Sequence, residues 1–287
     1  MTKTQCPQIE LFDTHAHLDR IDCCYKDEAW FQTRDHDRFP SAVNINDGYI
    51  EKHDFQMAGI LWPGIMLESS NLSVEFAERN ELCYAAVGIH PNCTGQVGHN
   101  DWSEIVELSK NPCVSAIGET GLDRYWDTVP FEIQVKYFER HLELAKERNL
   151  PVLIHCRDCD GDMIEILSNL ARVSSIFGII HSFSSTPEVA EKFLEMGLYI
   201  SFSGTVTYPN KKFASLHEAA KIIPEDRLLV ETDSPFLIPH PYRGKLDDNL
   251  PIMTAYTVGR LALLRRTTIK HISEVTTENA RRIFRKK

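Results

Sequence analysis

Arg227-Leu228-Leu229-Val230-Glu231-Thr232-Asp233-Ser234-Pro235 carries a short apolar run straight into an acid. The run reads as a buried strand, and an acid just past such a strand points into whatever cleft the sheet opens toward. The same arrangement recurs along the chain. Ile9-Glu10-Leu11-Phe12-Asp13 leads into Thr14-His15-Ala16-His17, and Leu82-Cys83-Tyr84-Ala85-Ala86-Val87 into Gly88-Ile89-His90-Pro91. Val114-Ser115-Ala116-Ile117 leads into Gly118-Glu119-Thr120-Gly121-Leu122-Asp123, and Val152-Leu153-Ile154 into His155-Cys156-Arg157-Asp158. Ile176-Phe177-Gly178-Ile179-Ile180 ends at His181-Ser182-Phe183-Ser184. Ala58-Gly59-Ile60-Leu61-Trp62 and Leu198-Tyr199-Ile200-Ser201-Phe202 bring the strands to about eight.

Helical patterns lie between these runs. Phe131, Val135, Phe138, Leu142 and Ala145 recur at three- and four-residue spacing, and Asn149-Leu150-Pro151 stops that helix. Asp101 with Glu104 reads as a capping box for a helix to Lys110. Thr186 and Pro187 read as N-cap and N1 of another helix, which Gly197 closes. Further helices are expected over 70–79, 160–170, 251–264 and 273–284. Alternating β and α units imply parallel strands with helices outside. At 287 residues the chain fits one barrel of ~250 residues plus an insertion. The expected fold is therefore α/β: a single (β/α)8 TIM barrel over 1–287. No G-x-G-x-x-G or P-loop follows any strand, so a dinucleotide site and a P-loop are not indicated.

Residues 21–55 break the pattern. Arg34-Asp35-His36-Asp37-Arg38 is highly charged, and Pro40 and Gly48 mark turns. The stretch far exceeds the ~2–6 residues of an ordinary βα loop and reads as an excursion above the barrel. It either caps the site or is a surface loop without a role. His36, His53 and His217 read as surface histidines rather than ligands.

Composition bounds the class. Hydrophobic residues make up 43% and charged residues 25%, as in a soluble globular protein. The net charge of -10 argues against a broadly basic nucleic-acid surface. Bound metals and a local basic loop can still reverse the sign inside a cleft. There is no secretory apolar segment near Met1 and no run of the ~20 apolar residues a membrane span needs. Eight cysteines are thus expected as reduced thiols in a cytoplasmic protein. Cys23-Cys24 and the Cys156…Cys159 spacing read as incidental.

Barrel active sites collect at the carboxyl ends of the strands. His15, His17, Glu119, His155, His181 and Asp233 all sit there, on five different strands. His15 and His17, two apart in extended chain, face one side. A carboxylate in a half-buried turn, as expected at Glu119, needs a partner or a metal. Imidazole nitrogens and carboxylate oxygens suit Zn²⁺, Mn²⁺ or similar ions. Six ligands overfill one tetrahedral site, so two divalent ions are expected, with Glu119 bridging them at ~3.5–4 Å. Such ions lower the pKa of a bound water toward ~7. Asp233 is then expected to ligate or orient that water, take its proton and pass it to the leaving group. His90, again at a strand end, is expected to face the cleft. No G-x-S-x-G elbow is present, and a covalent nucleophile is not indicated.

With these residues placed, the chain resembles the TatD family of metal-dependent hydrolases and deoxyribonucleases, within the amidohydrolase-like barrels. The resemblance rests on the strand-end motifs above, on Asp13 through Asp19, and on Pro241-Tyr242-Arg243-Gly244-Lys245. It implies His15, His17, Glu119 and Asp233 around one metal and Glu119, His155 and His181 around the other. It implies His90 near a substrate phosphate, with Arg243 and Lys245 available to bind phosphate. It implies phosphodiesterase activity on DNA ends with Mg²⁺ or Mn²⁺, specifically a 3′-to-5′ exonuclease on single strands. DNA or another phosphoester is the expected partner, with no membrane and a monomeric state. The chain departs from the family at the long stretch 21–55 and at Leu246-Asp247-Asp248-Asn249-Leu250-Pro251, where Arg-Asn-Glu-Pro is usual. Hydrolysis of another ester or amide (a phosphotriester, a lactone, an aminoacyl ester on tRNA) is the alternative. A catalytically silent barrel acting as a binding protein is the other.

Overall fold

The computed structural model describes residues 8–21, 54–126, 128–172 and 175–285. Its strands are β1 (Gln8–Asp13), β2 (Asp54–Pro63), β3 (Cys83–Val87), β4 (Val114–Asp123), β5 (Val152–Arg157), β6 (Gly178–Ile180), β7 (Tyr199–Phe202) and β8 (Leu228–Val230). They pair in chain order, every pair parallel. The Thr14 amide donates to the Val230 carbonyl at 3.1 Å and Ala16 bridges Ser234, which brings the first and last strands together. Helices α1 (Leu67–Arg79), α2 (Asp101–Leu108), α3 (Phe131–Arg148), α4 (Asp160–Ala171), α5 (Pro187–Glu195), α6 (Ala214–Ile222), α7 (Thr254–Arg265) and α8 (Ile269–Ile283) intervene or follow. This is the expected (β/α)8 barrel.

Period-two alternation along each strand divides the apolar side chains into two layers. One residue from each strand fills the interior: Phe12, Leu61, Ala86, Ala116, Leu153, Ile179, Tyr199 and Leu229. Ile283 and Phe284, at the end of α8, close the amino-terminal mouth, with Phe284 stacked on Phe12 at 5.9 Å. The alternate set, including Leu11, Ile60, Val87, Ile117, Ile154 and Val230, packs outward under the helices. With the amino-terminal mouth filled by apolar side chains, the polar strand ends gather at the opposite mouth.

Five expectations need correction. Strand β4 does not stop at Ile117 but continues to Asp123, so Glu119 lies in a strand rather than a turn. Gly118 and Gly121 look like turn residues, yet they sit at φ +130° and +140° where the pairing with β5 shifts register. A Cβ would meet the Leu153 carbonyl oxygen at 2.6 Å from Gly118, and the His155 carbonyl oxygen at 2.0 Å from Gly121. Strand β2 begins at Asp54, inside the span expected to be irregular. The capping box at Asp101 is not formed. Asn100 is the N-cap, and the Asp101 carboxylate accepts the Gly98 amide at 2.8 Å instead. Thr186 occupies its N-cap position with Pro187 after it, but its side chain makes no capping bond. His217 on α6 is half-buried, its Nε2 3.0 Å from the Val206 carbonyl oxygen. Most of the 21–55 stretch, with Cys23, Cys24, His36 and His53, falls outside the described residues. Among the described residues no helix is long and apolar enough to cross a membrane.

One buried histidine holds the segment that carries His90. His141 of α3 is fully buried; Nδ1 lies 2.6 Å from the Tyr137 carbonyl oxygen, and Nε2 accepts the Ile89 amide at 3.0 Å. The bond from the Ile89 amide needs Nε2 unprotonated, and so the neutral ring with its proton on Nδ1. Burial lowers its pKa from 6.5 to about 4. A histidine with a depressed folded pKa is protonated more readily in the unfolded chain. Its contribution is therefore complete above pH 6.5 and is lost as pH falls toward 4. Over that window the difference in unfolding free energy between wild type and His141→Gln is expected to fall by about 3 kcal/mol. Urea unfolding of both chelator-treated proteins at pH 7 and pH 4 checks this; a difference independent of pH would contradict it.

Candidate metal centre

Asp13 ties the end of β1 to the segment after β8. Its Oδ1 accepts the amides of His15 at 3.1 Å and Thr232 at 3.0 Å, and its Oδ2 meets the Thr232 hydroxyl. Burial pushes this carboxyl well above the ordinary aspartate range despite those bonds. The Asp233 amide donates to the His15 carbonyl at 2.9 Å. These bonds bring His15, His17 and Asp233, distant in sequence, to one place.

Four atoms converge there. His15 Nε2 lies 3.1 Å from His17 Nε2, 3.4 Å from Glu119 Oε2 and 3.6 Å from Asp233 Oδ1. His17 Nε2 lies 3.7 Å from Glu119 Oε2 and 3.5 Å from Asp233 Oδ1. Ligands bound at ~2.0–2.2 Å around a tetrahedral ion stand about 3.3–3.6 Å apart, so these spacings suit a single cation.

The other oxygen of Glu119 faces a second group. Glu119 Oε1 lies 3.1 Å from His155 Nδ1, 2.9 Å from His181 Nε2 and 3.4 Å from His90 Nε2. His155 Nδ1 and His181 Nε2 are themselves 3.2 Å apart. Glu119 is buried on β4 between the two groups, one oxygen toward each.

The hydrogen-bond network assigns the imidazole protons. His155 Nε2 lies 3.0 Å from Asp123 Oδ2, and His181 Nδ1 lies 3.2 Å from Glu231 Oε1. Each of those outer nitrogens donates to a carboxylate, so the inner nitrogen is the one that would yield its lone pair to a cation. His90 is wired the opposite way. Its Nδ1 accepts the Asn92 amide at 3.1 Å, so the neutral ring carries its proton on Nε2, facing Glu119. His90 thus presents a donor where His155 and His181 present acceptors. Burial holds its pKa down at about 3, so the ring is neutral.

The remaining electrostatics follow from crowding. Burial alone raises the Glu119 carboxyl, but the imidazoles of His181, His90 and His15 outweigh it and hold the group well below the ordinary range. Asp233 is lowered in the same way: burial raises it, and His17 and His15 more than offset that. His15 is lowered by burial and then by His181, whose ring stacks on it at 4.0 Å. Burial depresses His181, but Glu119 and Glu231 more than compensate and bring it well above the histidine range. The donor set fits divalent cations. Nitrogens of four imidazoles and oxygens of two carboxylates converge, and among the described residues buried His15 Nδ1 and Glu231 Oε2 have no hydrogen-bond partner. Three such groupings span His15, His17, His90, Glu119, His155, His181, Glu231 and Asp233.

All six ligand candidates from the sequence meet at this mouth, with His90 against the second group. Arg243 and Lys245 do not join them. Both are exposed on the segment after β8, where the Arg243 guanidinium lies 4.5 Å over the Tyr208 ring. Asp123 and Glu231 also reach this mouth, and strand-end position alone does not single them out. Asp123 is four residues past Glu119 on β4, and Glu231 is two before Asp233. Even spacing from Glu119 along one strand is the signal that could have found Asp123. The proton-setting amide of Asn92 and the buried His141 leave no signal in sequence.

Residues 12–285 match the family of TatD related DNases. YabD of Bacillus subtilis, named as an uncharacterized metal-dependent hydrolase, is 38% identical over 275 residues, which covers 96% of this chain and 99% of its own. YcfH of Escherichia coli K12, likewise named an uncharacterized metal-dependent hydrolase, is 34% identical over 280 residues, 96% of this chain and 95% of its own. The crystal structure of YJJV, a TatD homologue from Escherichia coli K12, superposes with a TM-score of 0.80 at 27% identity, over 96% of this chain and 97% of that one.

Proposed function

Since the chain belongs to the TatD-related DNase family and is a metal-dependent hydrolase, we propose that it hydrolyses phosphodiesters, removing nucleotides from the 3′ end of single-stranded DNA. The observation that carries this reading is the placement of Glu119, whose two oxygens serve separate groups of imidazoles. His15, His17, Glu119 and Asp233 would hold one divalent ion, and Glu119, His155 and His181 a second. Asp123, Glu119, Glu231 and Asp233 supply four carboxylates around the imidazoles, the charge that two dications would balance. Ions held there supply Lewis acidity toward a phosphoryl oxygen and toward the attacking water.

The chain's own residues divide the remaining work. Asp233 has the most accessible carboxylate of the group, its side chain 16% exposed against 3% for Glu119. It accepts the proton of the attacking water and returns it to the leaving oxygen. His90 donates from Nε2 to a non-bridging phosphoryl oxygen as charge builds on it. Arg243 and Lys245 meet phosphates further along the strand. Asp123 and Glu231 touch no substrate; they hold the imidazoles of His155 and His181 with the inner nitrogen deprotonated. Asp123→Asn and Glu231→Gln are each expected to weaken metal binding by about 10- to 100-fold, read by competition with a chromophoric chelator. Unchanged affinity in both would show that these carboxylates do not position the rings.

The test of the activity is a single strand labelled at its 5′ end and incubated with Mg²⁺ or Mn²⁺. Products shortening stepwise from the 3′ end are expected. An intact strand alongside hydrolysis of a lactone or phosphotriester would overturn the nuclease reading.

A further inference from the structure

Beside the metal centre stands a pair of aromatic rings that packing does not explain. Tyr125 and Trp126 lie just past β4, after Arg124, and are 53% and 52% exposed. Large aromatic rings left half in water on a functional rim mark a surface that something else covers. Their placement is fixed. Asp123 Oδ1 accepts the amides of Tyr125 at 2.8 Å and Trp126 at 3.0 Å, while Oδ2 meets His155 Nε2 at 3.0 Å and the Asn92 side-chain amide at 3.0 Å. One carboxylate therefore orients both a ligand-type imidazole and the turn that presents the rings.

The rings form a corner. Their centroids are 5.0 Å apart and their planes meet at 87°. Arg157, two residues past His155 on β5, lays its guanidinium over the Tyr125 ring at 3.8 Å and lies 5.9 Å from the centroid of Trp126. A flat guanidinium over one ring, with a second ring standing perpendicular to it, makes a cationic corner with aromatic walls. Its occupant is flat, π-faced and close to negative charge. An unpaired nucleobase attached to a phosphate has those properties; a base within a duplex has both faces already covered. The net charge of -10 opposes long-range attraction of a polyanion. Stacking tolerates that charge, because it acts through the base face.

We propose that Tyr125, Trp126 and Arg157 form a seat that stacks one unpaired base of the bound strand next to the scissile phosphate. This seat rests on the phosphodiesterase reading for its position but is tested separately from it. The probe is a dye-labelled oligothymidylate with phosphorothioate linkages, compared with a strand of equal length that lacks bases at its terminal positions. Binding to the Mn²⁺-loaded protein is followed by fluorescence anisotropy. Wild type is expected to bind the base-bearing strand about 5- to 150-fold more tightly than the abasic one. The double variant Tyr125→Ala/Trp126→Ala is expected to bring that ratio close to one while leaving abasic affinity unchanged, and Trp126→Phe to keep most of it. A ratio near one in wild type, or a ratio that survives in the double variant, would overturn the seat. Hydrolysis of methyl p-nitrophenyl phosphate, which has no base, is measured in parallel and is expected to be equal in wild type and double variant. Loss of that hydrolysis in wild type with the binding ratio intact would count against the proposed reaction and not against the seat.

Discussion

Glu119→Gln is expected to lower the proposed phosphodiester turnover by at least ~10³-fold and to reduce bound metal from the proposed two ions per chain to one or none. Glutamine has the same shape and keeps one carbonyl oxygen, but its second position becomes an NH₂ group without a lone pair to offer. Glu119 Oε2 lies 3.4 Å from His15 Nε2, and Oε1 lies 2.9 Å from His181 Nε2. Whichever way the amide turns, one group of imidazoles receives N–H bonds where it had an anionic oxygen. The substitution also removes a negative charge from between the two proposed cations, in a buried cluster where charges are weakly screened. Metal analysis and steady-state kinetics on the same preparation check both parts. A glutamine variant with two ions per chain and activity within tenfold of wild type would remove Glu119 from the bridging position.

Asp233→Asn is expected to reduce kcat by ~10²–10⁴-fold while changing KM little. Asparagine is the informative replacement because of the backbone. Asp233 has φ +58°, a left-handed conformation that Asp and Asn tolerate and that costs other non-glycine residues about 1 kcal/mol or more. Alanine would combine loss of the carboxylate with strain in the turn that also presents the Asp233 amide to His15 and the Asp233 carbonyl to the Phe236 amide. With asparagine the turn persists, and a neutral side chain replaces the proton acceptor. Single-turnover kinetics separate the chemical step from binding. A variant retaining a third or more of wild-type kcat would mean that Asp233 does not carry the proton.

Much of this centre is legible in the order of residues alone. His15, His155 and His181 each end an apolar run, and a barrel brings the ends of such runs to one mouth. Periodicity reports where a strand stops, and that suffices to gather ligands from five strands. It does not report how a strand bends. Gly118 and Gly121 read as turn residues because glycine at positive φ is usually found in turns; here they let β4 pass close to β5, and Glu119 stays in the sheet. Nor does spacing reveal protonation. His90 and His155 are both strand-end histidines, and only the Asn92 amide against one and the Asp123 carboxylate against the other make the first a donor and the second an acceptor. Asp123 shows the limit clearly. Its place in a motif is visible, but its simultaneous bonds to His155, Asn92, Tyr125 and Trp126 depend on contacts between β4, β5 and the segment after β3.

Anomalous diffraction from crystals grown with Mn²⁺ is the sharpest test of the two-ion centre. Two peaks ~3.5–4 Å apart are expected, one among His15, His17 and Asp233 and the other between His155 and His181, with the Glu119 carboxylate touching both. No peak at that mouth under saturating Mn²⁺, or a single ion bound away from Glu119, would contradict it.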